Sequence, residues 1–143
     1  MQPIDVLARL NQTRCLDIAR MADDSEAMDA MSMLGEFNQC FVGLANFVGQ
    51  TPWEWHPDDE LLFLLEGQVA VDILPTAGPV QTRELGRGEM FTVPARCWHR
   101  QRATDGVRLM FITSREGNQV STAAEPREDH AVAASVMQDA AKS

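Results

Sequence analysis

From Phe37 to Thr113 apolar residues recur with a period of two, in short runs punctuated by glycine, proline or aspartate. This pattern constrains the fold more than any other feature, because a period of two sends alternate side chains to opposite faces of an extended strand, whereas an amphipathic helix needs 3.6. It predicts strands over residues 41–48, 53–56, 61–65, 69–74, 80–85, 90–93, 98–102 and 107–113, with Glu66-Gly67, residues 75–79 and residues 86–89 as turns. Many short strands at such spacing build an all-β sandwich or barrel. No internal repeat divides the run, and 143 residues suit one domain with a single core.

Two of these strands are apolar on both faces. Leu61 to Leu65 is apolar at every position, and 107–113 sets Leu109 and Phe111 on one face against Met110 and Ile112 on the other. If Glu60 points inward with Leu62 and Leu64, then Leu61, Phe63 and Leu65 face outward and require a cover. The N-terminal segment or a second copy of the chain would supply it.

The chain divides into an N-terminal segment packing on the barrel (1–36), the barrel itself (37–115) and a polar tail (116–143). Within the first, residues 4–10 and 25–34 read as weak helices. In the second of these Ser25 is the N-cap, Met28 and Met31 form a core stripe that Met21 can extend, and Gly35 is the stop. Residues 13–21 fit helix or strand. The tail is acidic before an Ala-rich run to Ala141, which Asp129 can cap but which is shorter than the roughly 12–15 residues an isolated helix needs.

Chemistry concentrates at two places. Glu54 and His56, two apart on a strand, leave the same face, and Trp53 and Trp55 leave the other. Pro57-Asp58-Asp59 breaks that strand and Glu60 opens the next, so imidazole and carboxylate converge across a bend. Downstream, a glycine turn at Gly88, a strand, a stop at Pro94 and then His99 follow in order. Cys97 and Gln101 share the inward face with His99, while Trp98, Arg100 and Arg102 face out as packing or solvated residues, the arginines within reach of Asp105. Cys97 reads as core filler before a soft metal ligand or a redox-sensitive thiol. Taken singly, each histidine would pass as an ordinary barrel residue. Two histidines and one carboxylate together make a set that holds a divalent transition metal and leaves coordination positions open.

The two stretches resemble the paired motifs of the cupin superfamily: His-x-His, three or four residues, Glu, six residues, Gly; then Gly, five residues, Pro-x-Gly, two residues, His, three residues, Asn. His56, Glu60 and Gly67 match the first, and Gly88, Pro94 and His99 the second. Glu54 stands at the usual first His, Arg96 at the Gly of the second motif, and Ala103 at its Asn. The resemblance implies an antiparallel double-stranded β-helix, or jelly-roll, barrel with a metal (Fe, Mn, Ni or Zn) in its mouth, and a homodimer. His56, Glu60 and His99 would be the ligands. Glu54 would be a fourth ligand, a base beside the metal or a mouth residue. Cupins include dioxygenases, isomerases, epimerases, lyases, storage proteins and ligand-binding domains. The expectation is a metal-dependent enzyme (dioxygenase, isomerase or lyase type) acting on a small organic molecule, with Glu54 or Gln101 handling a proton. The alternative is a non-catalytic small-molecule binder.

Charge sets the remaining bounds. A net charge of −9 argues against nucleic acid as a partner, since phosphate binding needs a concentrated basic surface. Three cysteines without a Cys-x-x-Cys pair fit free thiols in a reducing compartment. Apolar runs fall short of membrane-spanning length, and the opening residues lack the order of a secretory signal, so a cytoplasmic location is expected.

Overall fold

Two long antiparallel strands form the spine of the fold, where the sequence pattern suggests four short ones. A computed structural model describes residues 2–20 and 31–128. In chain order the elements are α1 (Val6–Gln12), β1 (Leu16–Asp17), a 3₁₀ turn (Ile18–Arg20), β2 (Met31–Phe37), β3 (Cys40–Gln50), β4 (Trp53–Trp55), β5 (Glu60–Leu74), β6 (Gln81–Gly86), β7 (Met90–Val93), β8 (Trp98–Ser114) and β9 (Gln119–Ser121). β5 and β8 pair along most of their length, from Leu61↔Ile112 to Leu74↔Trp98. β3 flanks β8 on its other side, from Cys40↔Ser114 to Gln50↔Arg102. β6 and β7 both pair with β5, and β9 pairs with β4. The sheet thereby folds over as a jelly roll around one core.

The parity of the strands decides what enters that core. Leu62 and Leu64 are fully buried on the inner face of β5, with Val71 and Ile73 further along and Leu109 and Phe111 facing them from β8. Each such side chain contributes about 2 kcal/mol by leaving water. Leu61, Phe63 and Leu65 lie on the outer face and are half-buried. Outer Leu44 is fully buried and outer Asn46 nearly so, its Nδ2 donating to the Thr13 carbonyl at 3.0 Å, which ties the C-terminal end of α1 to β3.

Several sequence expectations change. Glu66-Gly67 is not a turn but a bulge within β5, where the pairing register with β8 shifts twice. Gly67 adopts φ +86°, and a Cβ there would lie 2.4 Å from the Gly106 carbonyl oxygen, so only glycine lets the two backbones cross this closely. Residues 31–34 are strand rather than helix: they belong to β2, which pairs with β3, and Gly35 sits at a bulge rather than a helix stop. Ser25, Met21 and Met28 lie outside the described residues, as does the Ala-rich run with Asp129. The first helix exists two residues later than expected, because the Asp5 carboxylate accepts from the Ala8 N–H at 2.9 Å and caps it. Residues 13–21 contribute a two-residue parallel pairing to β3 and the 3₁₀ turn. The stretch read as a polar tail supplies β9. No helix among the described residues is long and apolar enough to cross a membrane.

Asp105 is not the partner of the arginines. Arg100 and Arg102 both donate to Asp72, at 3.0 Å and 2.9–3.1 Å, and Thr82 donates at 2.8 Å. These are the direct cross-strand neighbours of this stretch of β5, and Arg100 also stacks on the Trp53 ring, 4.4 Å from its centroid. Burial would raise the Asp72 carboxyl, but hydrogen bonds from Arg102, Thr82 and Arg100 prevail and hold it at about 2, against an ordinary 3.8. A depressed pKa stabilises the fold above the unfolded value and is lost as pH falls from about 4 toward 2. Both arginines stay partly exposed, so the contribution is discounted to about 1 kcal/mol. Asp72→Asn is therefore expected to cost about 1 kcal/mol at pH 7 and only a small part of that near pH 2, as urea denaturation at the two pH values would register. An equal loss at both would reject the ion-pair account.

Candidate metal centre

Four side chains meet at one end of the fold. Glu54 on β4 pairs directly with His99 on β8, and this register puts both on the inner face. The bend after β4 brings His56 back toward Glu60, the first residue of β5. The bend is held by its own acids: Asp58 exchanges hydrogen bonds with Ser114 Oγ, Asp59 Oδ1 accepts from the Ala95 N–H at 2.7 Å, and the Arg96 N–H donates to the His56 carbonyl at 2.8 Å. One donor atom from each of Glu54, His56, Glu60 and His99 lies within 4.8 Å of the others. His99 Nε2 is 2.9 Å from Glu60 Oε2 and 3.9 Å from Glu54 Oε2, and His56 Nε2 is 3.7 Å from Glu60 Oε1.

Each imidazole is anchored through its other nitrogen. His99 Nδ1 donates to the Cys97 carbonyl at 3.1 Å and His56 Nδ1 to Asn118 Oδ1 at 2.8 Å. Both Nε2 atoms are thus turned to the centre, the arrangement metal-ligating histidines adopt. His56 Nε2 is buried with no hydrogen-bond partner among the described residues. Such an orphan, beside two carboxylates that would neutralise a dication, fits a divalent transition metal.

The electrostatics of the metal-free centre follow from crowding. Burial pushes Glu54 up to about 7, helped by the charge of Glu60 and opposed by His99. Its side chain nevertheless keeps 30% of its surface accessible, which places it at the mouth. Burial would raise Glu60, but the hydrogen bond and charge of His99, with His56 and Thr113, carry it below the ordinary value. Burial would lower His99, and Glu60 with Glu54 reverses this. Burial lowers His56, which has no carboxylate in hydrogen-bond contact.

Gln101 is 6% exposed on the inner face, its backbone tied to Thr51 and its Oε1 without a partner among the described residues. Cys97 packs half-buried against the core, where burial raises its thiol, and its sulfur is not among the converging atoms. Trp53 and Trp98 pack together with Leu74. Arg96 takes φ +61°, which explains glycine in the family pattern and costs an arginine about 1 kcal/mol. Ala103 is buried core. Cavities of about 760 Å³, beside Gly67, Gly86 and Gly106, and about 410 Å³, beside Phe37 and Ile112, are lined by other residues. The sequence reading missed Asn118, Thr113 and the anchoring roles of Asp58 and Asp59. The turn residue Gly117 before Asn118 was the available signal.

The fold and this centre together define the class. The family model for the cupin domain matches residues 48–114, and the chain belongs to the cupin superfamily. The uncharacterized protein YdbB of Bacillus subtilis (strain 168) is 30% identical over 88 residues, 61% of this chain and 74% of that one. Protein NMB1881 of Neisseria meningitidis has a similar structure, with a TM-score of 0.58 and 23% identity, over 79% of this chain and 99% of that one. The hydroquinone 1,2-dioxygenase PnpCD, in complex with Cd²⁺ and 4-hydroxybenzonitrile, gives a TM-score of 0.53 and 20% identity, over 59% and 63%. At these identities the structural likenesses establish the fold alone.

Proposed function

We propose that this cupin is a metal-dependent enzyme of dioxygenase, isomerase or lyase type acting on a small organic molecule, with His56, Glu60, His99 and Glu54 as the metal ligands. The observation that carries the reading is the convergence of four donor atoms within 4.8 Å, one of them the orphaned His56 Nε2. A divalent Fe, Mn, Ni or Zn ion, when bound, supplies Lewis acidity, and a redox-active one access to oxygen chemistry. The protein's own residues do the rest. His56 and His99 present Nε2 from anchored rings, and Glu60 holds its carboxylate under hydrogen bonds from His99 and Thr113. Glu54, at the mouth, would exchange a proton with a substrate, and the Gln101 amide, whose Oε1 has no partner among the described residues, would orient it. Dioxygenase chemistry on a phenolic ring in a neighbour of this fold supports testing small aromatics first. The apolar outer face, where Phe37 and Met90 are 60% and 63% exposed, supports a homodimer.

Metal analysis of the purified protein, then oxygen uptake with catechols, thiols and keto acids, tests the reading. Metal without turnover on any substrate class would favour the binding module. Glu54 is tested by two substitutions. If it ligates, Glu54→Gln weakens Zn²⁺ and Ni²⁺ binding by at least ~10-fold, because an amide oxygen is a poorer donor, while Glu54→His retains metal. Unchanged affinity in Glu54→Gln removes it from the ligand set.

A further inference from the structure

Asn118 lies outside both sequence motifs and beyond the stretch 48–114 matched by the cupin family, yet it touches the centre. Gly117, at φ +79°, turns the chain against Pro57, whose Cγ would lie 3.2 Å from a Cβ at that position. The Asn118 carboxamide is thereby delivered beside His56. Its orientation is fixed from both ends: Nδ2 donates to the Ser114 carbonyl at 2.7 Å, so Oδ1 is the atom 2.8 Å from His56 Nδ1. Ser114 is itself 2% exposed and bonded to Asp58, which makes the attachment point part of the barrel rim rather than of the loop. An amide oxygen only accepts. His56 Nδ1 must therefore carry the proton, and its lone pair resides on Nε2, the buried atom aimed at the centre.

We propose that Asn118 is a positioning residue of the metal centre: it locks His56 in the Nδ1–H form with Nε2 turned inward, and so sets the affinity of that nitrogen for a divalent metal. The proposal rests on the metal-centre reading above. Without the acceptor, the proton is free to move to Nε2, where it blocks coordination, and the ring is free to rotate. Outer-shell partners of ligating histidines typically govern affinity by ~10 to 100-fold.

The experiment compares the full chain with Asn118→Leu, which keeps the branched shape and removes the acceptor, and Asn118→Asp, which keeps an acceptor toward His56 while giving up the Nδ2 donation to the Ser114 carbonyl. Long-range ¹⁵N–¹H spectra of the metal-free proteins report the His56 tautomer, and Zn²⁺ titration reports affinity. The expected result is Nδ1–H in the wild type and in Asn118→Asp, loss of that form in Asn118→Leu, and Zn²⁺ affinity reduced ~10 to 100-fold in Asn118→Leu alone. The His99 tautomer, held by the Cys97 carbonyl, should not change, which separates positioning from a general loss of structure. An Nε2–H tautomer in the wild type overturns the proposal, as does unchanged Zn²⁺ affinity in Asn118→Leu. A wild type that binds no Zn²⁺ would overturn the metal-centre reading and the affinity role with it, whereas the tautomer comparison would still decide whether Asn118 orients His56.

Discussion

His99→Ala is expected to lower affinity for first-row divalent metals by at least ~100-fold, more than the loss of any outer-shell group. His99 sits at the middle of the centre, facing Glu60 Oε2 at 2.9 Å and Glu54 Oε2 at 3.9 Å, and is 1% exposed, so no solvent molecule readily takes its place. Truncation also strips the buried Glu60 carboxylate of its nearest imidazole, and breaking a buried pair of this kind costs ~3 to 5 kcal/mol. Loss of metal could then follow from loss of fold. His56→Ala resolves the ambiguity, because His56 Nε2 has no hydrogen-bond partner among the described residues, so its removal strands no carboxylate at 2.9 Å. Elemental analysis should find little metal in either variant, with thermal stability lowered far more in His99→Ala. Equal metal in wild type and both variants would reject the ligand set.

What the sequence disclosed, and what it hid, follows from how far each interaction reaches along the chain. The convergence of His56 and Glu60 was readable because four positions and one bend separate them, and the inward parity of Leu62 and Leu64 followed from the same count. Recognition of His99 needed the motif spacing, since its cross-strand partner Glu54 lies far from it along the chain. Gly117 marks a turn, but nothing local announces that Asn118 meets His56, 62 residues earlier, because the contact depends on where β8 ends. Asp72 was missed for a related reason: its outward parity suggests solvent, and only the β5–β8 register places Arg100 and Arg102 over it. β2 was misread because Met31, Ser32, Met33 and Leu34 have no alternation strong enough to distinguish strand from helix, and pairing with β3 decides the matter. Glycine proved the most deceptive punctuation. Gly67 looks like the end of a strand and Gly106 falls in the gap between two, yet both take positive φ where the β5–β8 pairing shifts register and the two strands continue.

The bulge at Gly67 carries a second large stability prediction. A Cβ at Gly67 would lie 2.4 Å from the Gly106 carbonyl oxygen and 3.1 Å from Val107 Cα, both backbone atoms held in the β5–β8 ladder, so no flexible side chain can yield. Gly67→Ala therefore incurs two penalties: about 1–2 kcal/mol for an alanine at φ +86° and about 1–3 kcal/mol for overpacking. The expected loss is about 3 kcal/mol, a large share of the ~5–15 kcal/mol typical of a domain. Gly88 supplies the internal control, since its φ of +83° is almost the same while nothing lies within 4 Å of where an alanine methyl would sit. Gly88→Ala should lose only the conformational part, about 1 kcal/mol. Urea denaturation of the two variants against wild type measures the difference directly, and equal losses would mean that backbone conformation, not the close crossing of β5 over β8, is what the glycine serves. Metal binding adds a second readout, because Glu60 begins β5 and His99 lies on β8: a Gly67→Ala protein that stays folded by shifting the crossing should also bind metal more weakly, whereas Gly88→Ala should not.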